Sequence, residues 1–148
     1  MPKDPNITPV AFHFLKKDFS LTERTRLKRF IEDLFRKEKK RLFSLNYIFC
    51  SDKYLLGINR TFLGHDFFTD IISFDLSEKK NPVTGEVYIS IDRVRENAVL
   101  YDDTFKRELL RVIFHGALHL CGFRDKTRKE SLEMRKKEEF YLSRFFKD

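Results

Sequence analysis

The chain has 148 residues, 41% of them hydrophobic and 17 of them Phe, which is enough apolar material for one folded domain over residues 1–148. No apolar run approaches the ~20 residues that cross a bilayer, so the composition speaks against a membrane protein. Thirty Lys and Arg against 23 Asp and Glu leave a net charge of +7 and a pI near 9.4, which points to a polyanionic partner, nucleic acid before membrane.

Residues 1–9 hold three of the four prolines and read as a loose lead-in; MPKDPNITPV lacks the apolar core of a secretory signal. Val10–Leu15 reads as a first strand, with His13 in it as a strand residue. Ser20-Leu21-Thr22-Glu23 has the form of a capping box. Leu27, Phe30, Ile31, Leu34 and Phe35 then recur at helical spacing, predicting a helix over about residues 21–40. From Lys16 to Arg41 there are eleven Lys and Arg and five Asp and Glu, a difference of +6. Most of the excess charge therefore lies on or beside this helix. The basic stretch 21–41 reads either as a solvated face or as a strip that follows an RNA backbone.

Leu42–Cys50 is a second strand, and Ser51-Asp52 can cap a short helix carrying Tyr54, Leu55, Leu56, Ile58 and Phe62. A loop, Leu63–Phe68, leads into a third strand over Thr69–Asp75. Glu78–Pro82 is a turn, and Gly85–Ile91 is a fourth strand by its β-branched content and alternation. Strands three and four are close enough to pair antiparallel, while the other strands need helical crossovers. Asp92–Leu100 looks helical. Thr127-Arg128-Lys129-Glu130 is another capping box, opening a last helix with Leu132, Met134, Phe140, Tyr141, Phe145 and Phe146. In that helix the basic run 135–137 is balanced by Glu133, Glu138 and Glu139 and reads as a solvated face. The expected fold is α+β, a single four-stranded mixed sheet layered with about five helices.

The chemistry concentrates in the remaining helix. Thr104 is a plausible N-cap, and Phe105, Leu109, Val112, Ile113 and Leu120 form an apolar stripe. His115 and His119 stand four residues apart, so a helix puts both imidazoles on one face, able to meet one metal ion. Gly122 suits a left-handed C-terminal residue, and Asp125 returns a carboxylate just beyond it. Two imidazoles and one carboxylate suit a metal site at the end of a central helix, with a fourth position open for water, as in catalytic Zn²⁺ centres. The same donor set serves non-haem Fe(II), so Fe²⁺ or another divalent ion is an alternative. Gly116 stands where an H-E-x-x-H peptidase carries its general base, so peptidase chemistry lacks its proton acceptor. Cys121 falls on the other side of the helix, as a core residue. With Cys50 it makes no disulfide framework, which fits a reducing cytoplasm.

His115, Gly116, Leu118, His119, Leu120, Gly122 and Phe123 resemble the signature H-G-x-L-H-L-x-G-[YF]-D-H of the YbeY family of bacterial endoribonucleases and rRNA maturation factors. Thr69–Phe74 resembles that family's T-[DN]-V-L-S-F, Asn59 its L-N pattern, and Gly85–Ser90 its G-[DE]-I-x-I-S. Two departures stand out. The family usually has Asp at position 124 and its third zinc-binding His at 125, where this chain has Arg124 and Asp125. It also commonly has an Arg at position 63, where this chain has Leu63. The resemblance implies a cytoplasmic, zinc-dependent, single-strand-specific endoribonuclease. It would act in maturation of 16S rRNA and ribosome quality control, with RNA and small-subunit components as partners. The metal ligands would be His115, His119 and Asp125. Asp70, Ser73 and His65 are candidates to position substrate or to move a proton. The departures leave open a non-catalytic assembly or RNA-binding factor with a structural metal, and a metallohydrolase of small phosphorylated substrates is a third reading.

Overall fold

A computed structural model describes residues 7–147. Most of the expected lead-in, residues 1–6, lies outside the described residues, as does residue 148. The elements follow the expected order: β1 (Val10–Phe14), α1 (Arg24–Lys37), β2 (Leu42–Cys50), α2 (Asp52–Ile58), a π-helical turn (Asn59–Leu63), β3 (Ile71–Asp75), β4 (Val83–Ser90), α3 (Ile91–Leu100), α4 (Phe105–Leu120) and α5 (Arg128–Lys147).

The four strands form one mixed sheet in the order β1-β2-β4-β3. β1 and β4 run parallel to β2, and β3 runs antiparallel to β4. This is the arrangement the connections require, because a short turn joins β3 to β4 and the parallel neighbours are joined through helices. The π-helical turn carries the short helix through Phe62 and ends at Gly64 in the left-handed region, φ 66°. Among the described residues, no helix is long and apolar enough to cross a membrane.

The main core lies between the sheet and α1, α4 and α5, and includes Ile31, Tyr47, Val87, Ile113, Leu118 and Tyr141. A small second cluster, Cys50, Leu55 and Ile72, lies under α2 on the other face. Strand alternation decides what meets α4. Ile71, Ser73 and Asp75 pair with Ile89, Val87 and Gly85 across β3 and β4. All six therefore project to the α4 side. α4 is held down by the Tyr47 hydroxyl, which donates to the Ile113 carbonyl at 2.8 Å.

Gly116 explains how close α4 comes to the sheet. A Cβ there would stand 2.8 Å from Val87 Cγ1 and 3.1 Å from Ile71 Cδ1. Gly116→Ala is expected to lower unfolding free energy by about 1–3 kcal/mol, because a fully packed neighbour must move. Chemical denaturation of the two proteins would measure this, and an unchanged midpoint would contradict the close packing.

The start of α1 departs from the capping-box expectation. The helix begins at Arg24, and Glu23 takes a left-handed backbone, φ 56°, without a side-chain cap. The Glu23 carboxylate does not turn back to Ser20. It is engaged instead by Arg26 at 2.6 Å and by Lys106 of α4 at 2.9 Å. The other capping boxes and caps form as expected. Thr127 and Glu130 exchange bonds of 3.0 and 3.1 Å. Ser51 accepts from the Tyr54 amide and Thr104 from the Arg107 amide.

Candidate metal centre in an acidic cleft

A cleft of about 560 Å³ opens between edge strand β3, α4 and the start of the chain beyond α4. Thr69, Asp70, Ile71, Ser73 and Asp75 form one wall. Glu108, Arg111, His115 and His119, spaced three or four residues apart on α4, form the other. Gly122, at φ 105°, turns the chain out of α4 and brings Asp125 back over the two histidines. Ser131 Oγ donates to the Asp125 carbonyl at 3.1 Å and holds that turn.

One oxygen, Asp125 Oδ2, stands 3.3 Å from His115 Nε2 and 3.3 Å from His119 Nε2. Donor atoms of the three residues lie within 4.8 Å of one another. Ligands bound at 2.0–2.1 Å in a tetrahedral array stand about 3.3 Å apart, which is the spacing of Asp125 Oδ2 from each histidine. The histidine side chains are half-buried and that of Asp125 is 40% exposed, and all three line the cleft.

His115 is oriented from behind. Its Nδ1 donates to Glu138 Oε2 at 2.7 Å, which leaves the Nε2 lone pair facing the cleft. Burial pulls the His115 imidazole down. The hydrogen bond to Glu138 and the charges of Glu138, Asp125 and Asp70 outweigh it, and the net shift is upward. Glu138 is buried and sits near Arg111, whose guanidinium is ringed by carboxylates: Glu139 at 2.9 Å, Glu108 at 3.2 Å, Asp103 at 3.6 Å and Glu138 at 3.7 Å. Burial would lower Arg111, but these carboxylates hold its charge. Burial raises Glu108, and Arg111 offsets only part of that.

Asp70 lies deep in the cleft. Its carbonyl accepts from the Ser90 amide at 2.9 Å, which fixes the backbone where β3 begins. Burial raises its carboxyl above the ordinary value, against the lowering effect of His115. Ser73, two strand positions beyond Ile71, lines the same wall. The structure therefore brings together His115, His119, Asp125, Asp70 and Ser73. It leaves His65 outside, stacked on Phe67 in the exposed loop before β3. Cys121 is buried in the core and its thiol is pushed up to about 12 by burial, which makes it a packing residue. His13 bonds Asn46 Oδ1 across β1 and β2 at 2.8 Å, away from the cleft.

Two features escape a reading of charge alone. Glu138 is not part of a solvated face; it is 6% exposed and holds His115. The signal was its position, since Met134, Glu138, Tyr141, Leu142 and Phe145 form one buried helical stripe. Glu108, 3% exposed, likewise falls seven residues before His115 on the same face. Among the described residues lining the cleft, Arg111 is the one Lys or Arg, against the carboxylates of Asp70, Asp75, Glu108, Asp125 and Glu138. The basic residues of α1 are elsewhere. Arg24, Lys28 and Lys37 lie over the rings of Phe14, Phe12 and Phe140.

Glu138→Gln is expected to weaken metal binding about 10–100-fold, because the amide keeps the shape but removes the charge that orients and strengthens His115. Competition with a chromogenic chelator would measure it; unchanged affinity would mean that His115 needs no such support.

The family model described as Endoribonuclease YbeY matches residues 13–146. The chain belongs to the YbeY family. The family's curated members include an Endoribonuclease YbeY from Cytophaga hutchinsonii, 51% identical over 132 residues, covering 88% of this chain and 92% of that one. The YbeY protein of Flavobacterium psychrophilum is 45% identical over 136 residues, 92% of this chain and 96% of its own. A solution structure from Thermotoga maritima superposes with a TM-score of 0.63 at 31% identity, covering 93% of this chain and 92% of that one. Asp125 stands beside the two histidines of this stretch. Leu63, in the place of the family's common Arg, is 44% exposed at the end of the π-helical turn.

Proposed function

We propose that the protein is a metal-dependent endoribonuclease that cuts single-stranded RNA. We further propose that it acts in the cytoplasm on small-subunit ribosomal RNA, in 16S rRNA maturation and ribosome quality control. The curated relatives carry the name endoribonuclease. The observation that carries the reading for this chain is Asp125 Oδ2 placed 3.3 Å from both histidine Nε2 atoms at the open side of the cleft.

His115, His119 and Asp125 would hold the ion, zinc first and Fe²⁺ as the alternative that this donor set also serves. A bound ion lowers the pKa of a coordinated water and polarises a phosphoryl oxygen. The protein's residues do the rest. Glu138 holds the His115 tautomer. Asp70, in the cleft wall with its carboxyl raised above the ordinary value by burial, would take the proton from the attacking water. Ser73 orients the substrate phosphate through its hydroxyl. His65 does not line the cleft and stacks on Phe67, so no proton transfer is assigned to it. Arg111, saturated by carboxylates, does not clamp the phosphate. Leu63 supplies no guanidinium either. The basic residues of 21–41 attract the RNA backbone from outside the cleft.

Three protein donors with space beside them support catalysis over a closed structural site. The test is metal analysis of purified protein together with cleavage of single-stranded RNA before and after chelation. One zinc or iron per chain, and cleavage lost on chelation and restored by the same ion, is the expected result. Cleavage untouched by complete metal removal, or a metal-loaded protein that cuts no RNA, would overturn the reading; the second outcome favours the assembly-factor alternative.

A further inference from the structure

The proposed cleavage leaves one problem unsolved. A single strand entering the cleft meets five carboxylates and an Arg111 held by them, so beyond the one phosphate at the ion and Ser73 the charge of the cleft gives the strand no hold. The grip must come from another chemistry close by.

The loop that feeds β3 offers one. Phe62, Phe67 and Phe68 are 65%, 56% and 51% exposed. Of these, Phe62 packs edge-on against Phe74, while Phe67 and His65 are the pair in ring contact at the exposed loop. The loop is nevertheless fixed. Asn59, 1% exposed, donates from Nδ2 to the Phe67 carbonyl at 2.9 Å, and the His65 amide donates to the Asn59 carbonyl at 3.1 Å. The backbone is thus tied inward while the rings face out. The His65 and Phe67 rings stack with centroids 5.1 Å apart and planes 20° from parallel. Phe68 differs, because the Arg93 guanidinium lies over its ring at 5.2 Å.

A flat, pre-ordered π stack matches the face of an unstacked nucleobase and is indifferent to sequence. It is also near the chemistry. Phe67 is three residues before Asp70, so their Cα atoms are at most about 11 Å apart, roughly three base spacings of a strand.

We infer that His65 and Phe67 form a stacking platform for a nucleobase of single-stranded RNA, within about three nucleotides of the bond in the cleft. This rests on the endoribonuclease reading and names the grip that reading lacks. His65 then serves substrate binding.

The test uses the full-length, metal-loaded protein with His65→Ala, Phe67→Ala and the conservative Phe67→Tyr. Binding of a short oligoribonucleotide and of an abasic strand of the same length is followed by fluorescence anisotropy, beside cleavage kinetics. Both alanine variants are expected to bind the base-bearing strand about tenfold more weakly and to raise KM by a similar factor with kcat little changed. The salt slope should stay as in wild type, because no phosphate contact is removed. Phe67→Tyr should retain wild-type binding, and the abasic strand should not distinguish the variants. Unchanged affinity and KM in both alanine variants would overturn the platform. So would a variant that shifts only the protein's own association state in sedimentation, which would mark the patch as a contact between copies. Wild-type protein that binds the base-bearing strand better than the abasic one but never cleaves it would sink the endoribonuclease reading and leave the platform standing.

Discussion

Asp125→Ala protein is expected to lose its metal and its RNA cleavage while keeping its fold. The carboxylate is the donor shared between His115 Nε2 and His119 Nε2, 3.3 Å from each. Without it two imidazoles remain, short of the three protein ligands that a catalytic zinc site uses. The loss should exceed the 10–100-fold that removal of an outer-shell partner such as Glu138 produces. Stability should hardly change, because the Asp125 side chain is 40% exposed on a turn. The contact that fixes the turn, Ser131 to the Asp125 carbonyl, is to the backbone and survives the substitution. Asp125→His is the complementary experiment, since it installs the third imidazole usual in YbeY proteins. It should restore zinc binding and, if the carboxylate selects a harder ion, shift preference away from Fe²⁺. Metal content by elemental analysis and single-strand cleavage on the same samples would decide. Full metal occupancy in Asp125→Ala would remove Asp125 from the ligand set.

The fold was legible wherever the deciding interaction is local. β2 runs over Leu42–Cys50 as its hydrophobic pattern predicts, and Thr104, Gly122 and the Thr127–Glu130 box act at α4 and α5 as their types require. The strand pairing followed from connection lengths. The start of α1 was not legible because Glu23, which would close the box, is held instead by Arg26 and by Lys106, 83 positions along the chain. The candidate ligands His115, His119 and Asp125 stood out by their spacing, and the fold brings them together. Glu138 and Arg111 did not stand out, because their neutral sum with neighbouring charges looks like solvent-exposed decoration. Their role follows from burial: a charge at a core position of a helix persists only with a partner, and here the partners are His115 and a set of carboxylates. His65 shows the opposite case. A histidine near a conserved-looking motif attracts a catalytic assignment, but Gly64 turns the chain so that the ring stacks outward on Phe67.

Asp70→Asn should move activity and stability in opposite directions. If Asp70 accepts the proton of the attacking water, the amide, which cannot, lowers kcat about 10²–10⁴-fold with metal content unchanged. Stability follows from linkage. Burial raises the folded-state carboxyl above its ordinary value of 3.8, so folding favours the protonated form. That contribution is complete below the unfolded value and is lost as pH rises through the folded one. At neutral pH the ionised group is therefore a net cost, and Asn, which carries no charge, removes it. The metal-free variant should melt above the metal-free wild type at pH 7, with the gap narrowing as pH falls toward 4. An active site that is destabilised to hold a poised carboxylate predicts this trade, whereas a purely structural Asp70 predicts a less stable variant. A variant that melts lower at pH 7, or that cleaves at the wild-type rate, would rule out Asp70 as the proton acceptor. The group would then have to be sought among the other residues of the β3 wall, Ser73 and Asp75, which face the same histidines from the neighbouring strand positions.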